Sequence, residues 1–185
     1  MIDARTTRVL GSLVAAMTLG ALFLMAIEQA PPRLNPANMK LTVLDDHSFA
    51  VSKQWERVVV HTSPGGEDSL PLRCHFIVRR SADANGQWVD HTRLWKLQEP
   101  GQHLYLPGVG FNTRSIGICV MTDGNGGAMS REQFDALVSL VQGLQRKLKI
   151  SASGVCLRNE LPGGAGMMRS FPAEEFETRL LRQVN

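Results

Sequence analysis

Cysteine is scarce in this chain and odd in number: Cys74, Cys119 and Cys156 are the whole set. An exported scaffold held together by disulfides would carry more of them, in even number. One pair among the three is compatible with the sequence, which does not choose it. Cys119 falls in the apolar run Ile116 to Met121, where a cysteine behaves as a small buried hydrophobe. Charge of one sign is also in short supply. Lys and Arg number 20 against 17 Asp and Glu, a net charge of +3, and no basic stripe with interleaved aromatics is present. That excludes a nucleic-acid-binding role. There is no internal repeat.

One long hydrophobic run stands out. Residues 9–27 carry no charge, Arg5 and Arg8 precede them, and Glu28 follows. About 19 apolar residues suffice to cross a bilayer as a helix. The flanking charges put residues 1–8 in the cytoplasm and the body outside, a single-pass membrane protein. A cleaved signal peptide is the alternative, although Glu28 then occupies a position that favours a small residue. Residues 28–38, with Pro31, Pro32 and Pro36, read as a stiff linker, and residues 39–185 as one folded domain. The mild positive charge suits a surface near anionic lipid or cell wall.

Strand signals lie at Lys40–Leu44, Arg57–Thr62, His75–Arg79 and Ser115–Met121, with an edge segment within Gln87–Trp95. The three consecutive valines at 58–60 suit a strand buried on both faces. The helical stripe Phe134, Leu137, Val138, Val141, Leu144, Leu148 follows Ser130, which with Gln133 forms a capping-box pattern. A last helix begins at Pro172, with Phe176, Leu180 and Leu181 on its apolar face. Strands in the middle and helices beside them predict an α/β fold, a layered arrangement.

Three short pieces carry chemistry. They are Val58-Val59-Val60-His61-Thr62, Cys74-His75-Phe76-Ile77-Val78 and Asn112-Thr113-Arg114-Ser115-Ile116-Gly117-Ile118. In this order and spacing they resemble the zinc amidase and peptidoglycan-recognition family, which cleaves or binds the muramic acid–L-alanine link of bacterial cell wall. The resemblance implies a central mixed β-sheet flanked by helices. It places the first zinc histidine on His61, the tyrosine position on Cys74, and substrate-contacting positions on Asn112 and His103. The second zinc histidine falls on Leu157, the third ligand near Gly164, and the assisting residue near Pro162. A catalytic zinc needs three protein ligands and one open position for water. His61 is the one implied ligand retained, so no cofactor is expected unless substitutes converge. Cys156 and Glu160 are the candidate substitutes for zinc, Cys156 through a one-residue shift on its strand.

Several of these residues have a plainer reading. His75 is either a substrate contact or a hydrogen-bonded core residue, and Asn112 either a contact or a turn former. His103 lines the cleft or a solvated loop. Arg73, with Arg79 and Arg80, matches the carboxylates of a peptide stem or marks a solvated edge. Trp55, Trp88 and Trp95 stack on sugar rings or anchor the core. With these ligands missing, the resemblance implies a membrane-anchored domain that binds muropeptide or peptidoglycan and has lost zinc catalysis. The alternatives are an active zinc N-acetylmuramoyl-L-alanine amidase with altered ligands, and an envelope protein-interaction scaffold.

Overall fold

Three valines in a row put apolar side chains on both faces of a strand, and the strand that carries them lies inside the sheet, with a neighbour on each side. In a computed structural model, which describes residues 14, 16–21, 44, 55–63, 73–102, 110–123, 128–162 and 170–182, β1 (Arg57–Ser63) has its five inner residues buried. It is flanked by β4 (Ser115–Met121) and β5 (Val155–Leu157), both parallel to it. β2 (Phe76–Val78) lies parallel to β4, and β3 (Val89–His91) closes the far edge antiparallel to β2. The order is β3-β2-β4-β1-β5, a mixed sheet as the resemblance implies.

The helix α2 (Arg131–Leu148) covers one face; a shorter α1 (Arg93–Leu97) precedes it and α3 (Ala173–Thr178) follows it. The core cluster joins Val58, Val60, Ile116, Ile118, Phe76 and Leu157 of the sheet to Phe134, Leu137, Val141 and Leu144 of α2. Each such large side chain contributes roughly 1.5–3 kcal/mol by leaving water. Ser130 caps α2 as expected, its Oγ accepting from the Gln133 N–H at 3.1 Å. The Gln133 amide does not complete a capping box. It donates instead to the Met121 carbonyl at 2.9 Å, tying the helix start to the end of β4.

The strand expected at 40–44 lies outside the described residues except for Leu44, which is helical and buried. The edge segment is strand only at Val89–His91. Thr92 then caps α1, accepting from Leu94 N–H while its hydroxyl donates to the Cys74 carbonyl at 2.7 Å. Trp55 and Trp95 are buried in the core, and Trp88 packs against it.

Contacts divide the chain into Met1–Asn35 and Pro36–Asn185. In the first unit, residues 14 and 16–21 are helical and exposed. The rest of the apolar run 9–27 lies outside the described residues. Among the described residues no helix is long and apolar enough to cross a membrane.

Candidate functional site

Successive residues of a strand face opposite ways, and that parity builds the site. Val58 and Val60 point toward α2, so Val59 and His61 point to the other face. In register with His61 is Cys119 of β4, and next to Cys119 in turn is Ile77 of β2. Cys74, just before β2, packs with Ile77 and Cys119, and Met121 lies against them. The result is a small group on the face away from α2: His61, Cys74 and Cys119, all buried. His61 Nε2 is 3.2 Å from each of the two sulfurs.

Cys74 and Cys119 are joined as a disulfide, with Cα atoms 5.9 Å apart, inside the usual range for such a bond. The structure thus chooses the pair that the sequence leaves open. Sequence reasoning missed Cys119 as a site residue because an apolar run hides it. The signal was the equal parity of two parallel strands, which becomes visible only once their register is known.

His61 is held as a neutral imidazole. Burial is the main cause, with the charge of Arg158 next and that of Arg73 smaller; a backbone hydrogen bond with Thr62 acts the other way. Together they lower its pKa from 6.5 to about 4. Among the described residues, no carboxylate stands with the groups that act on it. The Arg158 Nε is buried with no hydrogen-bond partner, and Arg73 is exposed. Both side-chain charges that the described residues bring to bear on His61 are thus positive.

The remaining sequence candidates separate. Cys156 is in register with Val59 and so shares the face of His61, whereas Leu157 is in register with Val60 and sits in the core under α2. Cys156 is a free, half-buried thiol whose pKa is raised, first by burial and then by Glu160. Neither Cys156 nor Glu160 joins His61. Among the described residues, the potential ligands that do converge, with donor atoms within 4.8 Å of one another, are His61, Cys74 and Cys119. The Glu160 carboxylate accepts from Leu157 N–H at 2.9 Å and shapes the local turn.

His75 is fully buried, and both ring nitrogens are engaged within the fold. Its Nδ1 accepts from Gly117 N–H and its Nε2 donates to the Glu99 carbonyl, each at 2.9 Å. This is a core histidine, and it presents no edge to a ligand. Asn112 lies in the turn Phe111–Arg114 that enters β4, at the end of the ladder where Arg57 pairs with Ser115. Four ladder steps, about 13 Å at the strand rise, separate that end from the His61–Cys119 pair. His103 and Gly164 lie outside the described residues.

A catalytic zinc needs three donors. Here sulfurs bonded to each other are not thiolates, and Leu157 offers an apolar side chain to the core. The described residues do not fit such a zinc while Cys74 and Cys119 are joined.

Fold and site together define an amidase-like α/β domain with a disulfide beside its strand histidine. Residues 41–162 match the N-acetylmuramoyl-L-alanine amidase family Amidase_2, and the chain belongs to that family. No curated protein matches it in sequence. Among solved structures it is similar to the endolysin N-acetylmuramoyl-L-alanine amidase LysCS from Clostridium intestinale URNW, at 18% identity and TM-score 0.53, covering 68% of this chain and 83% of that one. It is also similar to the amidase AmiD from E. coli, solved in complex with the substrate anhydro-N-acetylmuramic acid-L-Ala-D-gamma-Glu-L-Lys. That match has 18% identity and TM-score 0.53, over 71% of this chain and 60% of that one. AmpDh3 from Pseudomonas aeruginosa matches at 17% identity and TM-score 0.52, over 73% and 65%. At these identities the likeness is one of fold.

Proposed function

We propose that this chain is a peptidoglycan-binding member of its family, held at the membrane by its N-terminal segment, in which zinc catalysis has been lost. The observation that carries the reading is the disulfide next to His61. Two sulfurs bonded to each other fill the space beside the strand histidine, and Leu157, to which the resemblance assigns the second histidine, belongs to the core. The positive field from Arg73 and Arg158 supports an anionic ligand, and guanidinium groups suit the carboxylates of a stem peptide. AmiD, of the same fold, is a muropeptide-cleaving relative whose bound substrate carries such a stem.

Anchoring is supported by the apolar run 9–27, of which Val14, Met17 and Leu19 are exposed on the helical stretch. Export of the body is supported by the disulfide, since such bonds persist in oxidising compartments.

The test pairs binding with turnover. Oxidised full-length protein in detergent is titrated with a muramoyl tripeptide by calorimetry, and the same preparation is incubated with sacculi while new L-alanine amino termini are counted. Saturable binding weakened by Arg73→Ala or Arg158→Ala, without new amino termini, is the expected result. Release of amino termini that depends on His61 would overturn the loss of catalysis in favour of an amidase with altered ligands. Absence of binding would favour an interaction scaffold.

A further inference from the structure

His61, Cys74 and Cys119 form a group whose potential the disulfide hides. We propose that, once the Cys74–Cys119 bond is reduced, these three residues become a buried metal site for a soft or borderline divalent cation of the zinc class. This does not depend on the muropeptide reading, and only His61 belongs to the ligand pattern implied by the family resemblance.

The geometry carries it. The three donor atoms lie within 4.8 Å of one another, and the imidazole Nε2 is 3.2 Å from both sulfurs. A tetrahedral centre with metal–nitrogen and metal–sulfur bonds of about 2.1 and 2.3 Å separates those ligand atoms by about 3.6 Å. The cluster is thus within a few tenths of an ångström of the required nitrogen–sulfur spacing. Breaking the S–S bond lets the sulfurs move apart, as two thiolates on one metal require. Two thiolates and an imidazole are the donor set that selects zinc over magnesium or calcium. Met121, a thioether side chain packed on the same cluster, adds to its soft character. The strands fix the donors: His61 and Cys119 are paired across a parallel ladder, and Cys74 is held by the bond from Thr92 to its carbonyl. A site on strands keeps its geometry better than one on loops.

The chemistry balances. A dithiol reductant gives up two electrons and two protons and becomes a disulfide, while the Cys74–Cys119 bond becomes two thiols. Cation binding then sends those two protons to solvent, forms two sulfur–metal bonds and takes the Nε2 lone pair as the third. The charges of the two thiolates cancel that of the cation, so the centre is neutral beside Arg73 and Arg158. Reoxidation by dioxygen takes one electron from each thiolate and re-forms the S–S bond; the oxygen leaves as hydrogen peroxide with two protons from solvent, and the cation is released.

The experiment compares full-length protein in detergent, reduced with a dithiol and then freed of reductant under nitrogen, with the same protein after air oxidation. Denatured thiol titration should count three thiols in the first and one in the second. Each is titrated with Co2+ in the absorption spectrophotometer and with Zn2+ against a chromophoric chelator. We expect one equivalent of Co2+ with thiolate-to-cobalt absorption in the reduced form, none in the oxidised form, and no change with Cys156→Ser. His61→Ala should weaken zinc binding by at least about tenfold, since three donors become two. Equal metal content in the two redox states would overturn the proposal. So would binding that Cys156→Ser abolishes and His61→Ala leaves intact. The redox comparison uses unmutated protein, so it decides the matter even where a variant fails to fold.

Discussion

Burial beside two guanidiniums sets the behaviour of His61. In an unfolded chain its ring takes up a proton near pH 6.5, and in the folded protein only near pH 4. Between those values the unfolded state binds the extra proton, so stability is full above pH 6.5 and falls as the pH drops toward 4. The loss amounts to about 3 kcal/mol. Urea midpoints measured from pH 7 to 4 should therefore decline more steeply for the wild type than for His61→Gln, and parallel declines would contradict this account. At the same scale, the sequence made His61 legible because a histidine at the end of a valine strand is conspicuous. It left Leu157 and Cys156 ambiguous because one residue of slip inverts a strand's faces. Pairing with Val59 and Val60 resolves that ambiguity. His75 was ambiguous for a different reason: its two partners, Gly117 and Glu99, lie 42 and 24 residues away, and no local pattern announces them.

Among the elements, those with long periodic patterns were readable and the short ones were not. α2 follows its apolar stripe and its serine cap, and β4 spans the residues expected. Three-residue strands and the five-residue α1 carry too few side chains to distinguish one period from another. The turn Ala152–Gly154 leading into β5 depends on a close approach that only glycine permits. A Cβ at Gly154 would lie 2.8 Å from the Glu56 carbonyl oxygen and 2.9 Å from Ile150 Cγ2. Because one of those atoms is backbone, the turn must shift to relieve the contact. Gly154→Ala should cost about 1–3 kcal/mol, read as a lowered thermal midpoint. An unchanged midpoint would mean that β5 is docked more loosely than its pairing with β1 implies.

For the whole molecule, the disulfide joins two parts of the sheet of unequal strength. β1 and β4 pair over seven residues, whereas β2 pairs with β4, and β3 with β2, over three each. The chain between Cys74 and Cys119 contains β2, β3 and α1 entire, so the bond holds the weaker half against the stronger. Closing a loop with a sequence separation of 45 removes unfolded-state entropy corresponding to about 4 kcal/mol at 25 °C. Guanidinium unfolding followed with and without reductant, in the presence of a chelator, should show a loss of that order, and Cys119→Ala should match it. A loss below about 1 kcal/mol would show that the strands alone carry the edge. No sequence pattern could choose this pair, because the nearness of Cys74 to Cys119 is a product of strand order.

The same bond turns the middle of the domain into a closed ring of polypeptide. Were a protease to nick the backbone anywhere inside that ring, both pieces would remain attached, and the enzyme-cut molecule would keep its outline until a thiol reagent released the halves.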